Sequence, residues 1–189
     1  MVGAVRVSAE AEWVTQPSND TTGAPCAAPS RRGLVSLLQG VPPEGLERPR
    51  LELDEHRLVA TWVRDLAARP RLVCDPLHYA VRLGFVVLDR VPQGVGGETT
   101  DGTTILYRWH ESPRIRGLRV AHGLAHAVLV MGRWAHCEAD AWIVAAELLW
   151  PTEMARRVGC PATGARLQPH APRWLIEAQT IRVLREASE

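Results

Sequence analysis

Residues 116–151 read RGLRVAHGLAHAVLVMGRWAHCEADAWIVAAELLWP, and the architecture turns on how this stretch folds. Arg116 to Met131 is rich in apolar residues and reads as a long helix broken at Gly132. Glu138 to Trp150 reads as a second helix, stopped by Pro151. A short connection folds the second back on the first, giving a hairpin. His122 and His126 are four residues apart in the first helix, so they project from one face about one turn apart and can reach a single ion. Glu138 opens the second helix and offers a carboxylate as third ligand. Two neutral imidazole nitrogens and a carboxylate oxygen suit zinc (Zn2+), with the fourth position left to water.

With 7 His in 189 residues, a His-x-x-x-His pair alone is weak evidence, and its setting has to carry the reading. His136 and Cys137, beside Glu138, are alternative ligands by chemistry. A symmetrical hairpin turning over residues 132–137 sets Ile143 opposite His126. Glu138 then reaches the histidines only if the first helix ends near Val130 or the two helices cross widely. Glu147 faces away from Glu138 on the same helix and cannot share its site. The plainer readings are a hydrogen-bonded histidine pair and, for Glu138, a first-turn acid that complements the helix dipole. His110 and Glu111, just before the first helix, read as solvated loop residues. Trp134, Trp142 and Trp150 read as core or groove-lining residues.

Working outward, Leu58, Val59, Trp62, Val63 and Leu66 recur at helical spacing and predict a helix over His56 to Ala68, ahead of Pro70. Asp75 and Pro76 form an N-cap and first-turn proline for a short helix that stops at Gly84. Phe85 to Leu88 and Thr103 to Tyr107 read as strands, with a Gly-rich turn over Gln93 to Gly102 between them. Beyond the breaks at Pro169 and Pro172, Trp174, Leu175, Ala178, Ile181 and Leu184 mark a closing amphipathic helix with Arg173, Arg182 and Arg185 directed to solvent. Ser8 to Arg50, rich in Pro, Ser, Thr, Gly and Ala and with one short apolar cluster, Leu34 to Leu38, reads as a mostly flexible arm, so residues 1–50 are set apart from a folded domain over residues 51–189.

The length accommodates one domain with a proper core. Hydrophobic residues at 46% and charged residues at 23% are ordinary globular values, which argues against disorder throughout. A net charge of +1 supplies no long-range field toward nucleic acid or an anionic membrane, so neither is expected as a partner. Cys26, Cys74, Cys137 and Cys160 form no CxxC pair and no dense disulfide framework. With no signal-peptide pattern over Met1 to Val14 and no apolar run of membrane-spanning length, a reducing cytoplasm is the expected setting.

The context of the histidines resembles one family. Ala121-His122-Gly123-Leu124-Ala125-His126, then Glu138-Ala139-Asp140-Ala141, then Ala145-Ala146-Glu147-Leu148-Leu149-Trp150-Pro151 is similar to the ImmA/IrrE family of metallopeptidases. There an Ala-His-Glu-x-x-His helix is followed by Glu-Ala-Asn/Asp and Ala-x-x-Leu-Leu-x-Pro. The likeness extends upstream to the Asp75-Pro76 helix, the Leu83-Gly84-Phe85-Val86-Val87 step into a strand, a further strand and Arg119, and covers residues 75–151. It implies an α+β fold, a small twisted sheet packed with a zincin-like active-site helix and the helix that follows, and it makes His122, His126 and Glu138 the zinc ligands. It also implies partners among helix-turn-helix repressors, or peptides from them, as in the regulation of mobile elements and stress responses. One position departs from the family: Gly123 stands where these enzymes keep the general-base glutamate. A positioned base contributes typically about 10² to 10⁴-fold, so a catalytically impaired, partner-binding protein is expected. The rivals are an active zinc endopeptidase using another base such as Glu111, and a metal-free scaffolding remnant.

Overall fold

Prolines, N-caps and left-handed glycines punctuate the chain where the sequence suggests. The computed structural model describes residues 29–67, 74–88, 104–106 and 111–188. In order these form helices α1 (Arg31–Leu38), α2 (Leu53–Leu66) and α3 (Pro76–Arg82), strands β1 (Val86–Leu88) and β2 (Thr104–Leu106), and helices α4 (Pro113–Met131), α5 (Glu138–Leu149), α6 (Thr152–Val158), α7 (Pro161–Leu167) and α8 (Arg173–Glu186). The described residues are thus mostly helical with a small two-stranded sheet, α+β in the broad sense. None of these helices is long and apolar enough to cross a membrane.

α5 organises the rest. Every residue from Ala139 to Trp150 is buried, so this helix is covered on all sides, as an apolar helix must be in water. α4 lies along it, and α2 and α1 cover other faces. α4 begins at Ser112, whose hydroxyl accepts from the Ile115 amide, with Pro113 in its first turn, and ends at Gly132. Arg133 then turns the chain at φ +56°, in the left-handed region. α3 starts where expected: the Asp75 carboxylate accepts from the Leu77 and His78 amides, and the helix gives way to Gly84 at φ +87°.

The strands pair in parallel, Val86 with Thr104, Val87 with Ile105 and Leu88 with Leu106. β2 rests on α4 with Ile105 fully buried, while β1 contacts α3. The Gly-rich turn expected over residues 93–102 lies outside the described residues, as do Thr103 and Tyr107.

Two expectations are corrected. Residues 29–50 are not a bare arm: Ser30 caps α1, and Leu34, Leu37 and Leu38, spaced along one helical face, are buried against α8 and α5. The boundary drawn at residue 50 therefore has no counterpart among the described residues, and residues 1–28 lie outside them. Arg182 does not point to solvent, although Arg173 and Arg185 do. It bonds Glu147, whose buried carboxylate also accepts from the Thr152 amide at 2.9 Å, the Thr152 hydroxyl at 2.6 Å and Gln179 at 2.7 Å. This polar knot joins α5, the start of α6, and α8. A buried carboxylate needs such partners, and Arg182 of α8 supplies the cation.

Gly117 in α4 allows a close backbone approach, because a Cβ there would lie 2.3 Å from the carbonyl oxygen of His170. We predict that Gly117→Ala destabilises the protein by about 1–3 kcal/mol in urea unfolding despite alanine's higher helix propensity, since a backbone carbonyl cannot swing aside. Stability equal to or above wild type would contradict this packing.

Candidate metal centre

His122 and His126 project from the same face of α4, their ring centroids 4.6 Å apart and nearly perpendicular. His122 is buried and stacks on Trp142 of α5, with centroids 3.6 Å apart and planes within 11°. Glu138, the first residue of α5, reaches both rings: its Oε1 lies 3.0 Å from His122 Nε2 and its Oε2 lies 2.9 Å from His126 Nε2. α4 ends at Met131, one residue past Val130, and Glu138 at the start of α5 reaches both rings. One ligand atom from each residue lies within 4.8 Å of the others, and these three form the group among the described residues able to hold a metal ion.

The chemistry of the group fits a cation. Zinc bonds of about 2.0 to 2.1 Å in a tetrahedral site set neighbouring ligand atoms about 3.3 Å apart, inside the 4.8 Å that bounds the spacing of these three donors. Although His122 Nε2 is near Glu138 Oε1, the two are out of line, and this buried nitrogen has no hydrogen-bond partner. A buried polar atom without a partner is costly, and a metal bond would satisfy it. Burial pushes the His122 pKa down to about 4, against the opposing pull of Glu138, so the ring is neutral near pH 7, as a ligand must be. Burial pulls the Glu138 carboxyl upward, but the two imidazoles that face it, His122 and His126, override that and hold the group well below the usual carboxylate range. Glu138 is therefore ionised.

A residue that the sequence reading passed over holds this arrangement in place. Asp140 is fully buried in the first turn of α5. It accepts from the amides of Cys137 at 2.7 Å, Arg50 at 3.0 Å and Leu51 at 3.0 Å, and lies 2.9 Å from His56 Nε2. It thus ties the start of α5, two residues from Glu138, to the chain entering α2. Burial raises its pKa, but His56 and the three amides outweigh that and hold the carboxyl well below its ordinary range. The available signal was its position three residues after the N-cap Cys137, where an acid can reach back to the cap amide.

The alternative ligands are placed elsewhere. The Cys137 thiol faces the Arg48 carbonyl at 3.4 Å and stands outside the group of three, and burial pushes its pKa up. His136 is bonded to the Trp134 carbonyl and stands outside the group of three. Gly123 is buried in α4 beside His122. Glu147 lies away from the site, as expected. Glu111 is not a solvated loop residue: it is largely shielded, 3.7 Å from Arg119, and its Oε2 is buried without a hydrogen bond. His110 lies outside the described residues. Trp142 and Trp150 are core residues, the latter donating from Nε1 to Thr180.

Among the described residues, fold and site define a mostly helical structure with a small parallel sheet and a partly buried two-histidine, one-glutamate group that can hold a metal ion. No family model matches the chain, and neither a curated protein nor a solved structure matches it.

Because the folded pKa of Asp140 is depressed, its stabilising contribution is present above the unfolded value of about 3.9 and is lost as pH falls through the lower folded value. Asp140→Asn replaces one of the two acceptor oxygens by a donor facing backbone amides and should cost about 3 kcal/mol at pH 7. Urea unfolding of both proteins from pH 7 to pH 3 checks this: the gap should narrow below about pH 4. A gap independent of pH would show that the Asp140 charge is not what matters.

Proposed function

We propose that this protein is a zinc-binding, metallopeptidase-like protein of the ImmA/IrrE type with a zincin-like helical hairpin, catalytically impaired, that acts by binding a peptide or a helix-turn-helix repressor. The observation that carries the reading is the convergence of His122, His126 and Glu138 on one point, with a glycine at the position next to His122. Two imidazole nitrogens and one carboxylate oxygen are a donor set suited to zinc. When bound, zinc supplies a Lewis acid that can polarise a peptide carbonyl.

The chain's own residues divide the remaining tasks unevenly. His122, His126 and Glu138 bind; Trp142 orients His122 by stacking; Asp140 fixes the helix start that carries Glu138. The proton-accepting role is unfilled at Gly123, since a hydrogen atom offers no lone pair. Binding without efficient cleavage follows from this division. Exposed apolar side chains on two touching elements, Val81 of α3 with Val86 and Leu88 of β1, support a partner surface. A cytoplasmic setting suits a repressor partner.

A second reading, a working peptidase, draws on Glu111. Its partnerless Oε2 makes it the shielded carboxylate nearest in sequence to α4 among those not bonded to the histidines. The two readings separate in one experiment with a quenched-fluorescence peptide library. We predict no metal-dependent cleavage by wild type, and cleavage by Gly123→Glu faster by about 10² to 10⁴-fold that a chelator abolishes. Robust wild-type cleavage lost in both His122→Ala and Glu111→Gln would overturn the impaired reading in favour of the enzyme.

A further inference from the structure

His136 sits in the loop between α4 and α5, just before the N-cap of α5, and its ring carries a feature that the three-residue group does not use. Its Nδ1 lies 2.9 Å from the Trp134 carbonyl oxygen. A carbonyl can only accept, so Nδ1 carries a proton, and in the neutral tautomer this selects, the lone pair is on Nε2. A carbonyl partner of this kind is the outer contact that metal-binding imidazoles usually have: it fixes the tautomer and makes the other nitrogen more basic.

The ring is also close. Its centroid stands 5.7 Å from that of His126, with the planes at 57°. Two imidazoles sharing one tetrahedral ion have centroids about 5 Å apart, given nitrogen–zinc bonds of about 2.0 to 2.1 Å. Nε2 is not within the tight spacing of the other three donors, so it joins them only by a shift of the ring. The side chain is only half-buried, so it is not locked in the core.

We propose that His136 is a displaceable fourth protein ligand, whose Nε2 moves onto the metal held by His122, His126 and Glu138 and takes the position that solvent holds in an open site. The inference rests on the metal-binding reading above and deepens it. Structural zinc sites are closed by four protein ligands, whereas catalytic sites keep one position open. With Gly123 in place of a base and His136 at the opening, the centre favours ligand exchange over hydrolysis. A partner that reaches the metal must bring a donor, such as a carboxylate, able to displace an imidazole.

The test uses the full chain loaded with Co(II), whose visible spectrum reports the ligand set, titrated with acetohydroxamate as a metal-seeking probe. His136→Ala should bind acetohydroxamate at least about 10-fold more tightly than wild type, because no imidazole has to leave, and should surrender cobalt to a chelator more readily. His136→Cys, which offers a metal-binding thiolate, should restore weak acetohydroxamate binding. Should His136→Ala not fold, His136→Asn provides the same comparison. Equal acetohydroxamate affinity in folded, cobalt-loaded wild type and variant would overturn the role of His136 and leave the three-residue site standing. A folded wild type that takes up no cobalt would overturn the metal reading itself, so the two failures are distinct.

Discussion

A carboxylate from one helix spanning two imidazoles of another is the contact around which the described structure is arranged. Glu138 is ionised because His122 and His126 face it, and His122 is neutral because it is buried. Neither group would be comfortable there alone: a lone buried carboxylate is poorly solvated, and a buried ring nitrogen without a partner loses a hydrogen bond. α5 supplies the rigidity that makes the convergence possible. It is enclosed on every side, pinned at its start by Asp140 and at its far end by the knot around Glu147. The two polar anchors leave little freedom for Glu138 to drift from the histidines.

Much of this was legible in the sequence, and the part that was not has physical reasons. The long apolar pattern of α4 and α5, the Asp75-Pro76 start of α3 and the strand before the Gly-rich stretch all announce themselves by local chemistry. α1 was hidden because its three buried leucines lie within a Pro- and Ser-rich stretch whose average composition suggests an arm; burial depends on α8, more than a hundred residues away. The seven-residue helices α6 and α7 are too short to show a periodic pattern, and packing against α8 supports them. Arg182 was misread because a helical pattern gives the face of a residue and not the buried carboxylate waiting opposite it.

The site divides along the same line. Helical spacing puts His122 and His126 side by side, a local fact. That Glu138 and not His136 or Cys137 completes the trio is a matter of how α4 and α5 pack on each other, which spacing left open. Asp140 was visible as a motif residue, but its partners Arg50, Leu51 and His56 come from a distant part of the chain. That Gly123 offers no proton acceptor was plain from the sequence alone, because no fold can place one on a residue with no side chain.

The central claim is that these three side chains hold a zinc ion, and metal content measures it most directly. Protein purified without added metal, dialysed against zinc and then against metal-free buffer, should retain one zinc per chain by mass spectrometry of the elements, and His122→Ala treated alike should retain almost none. A folded wild-type protein that keeps no zinc, or a His122→Ala variant that keeps as much as wild type, would contradict the account.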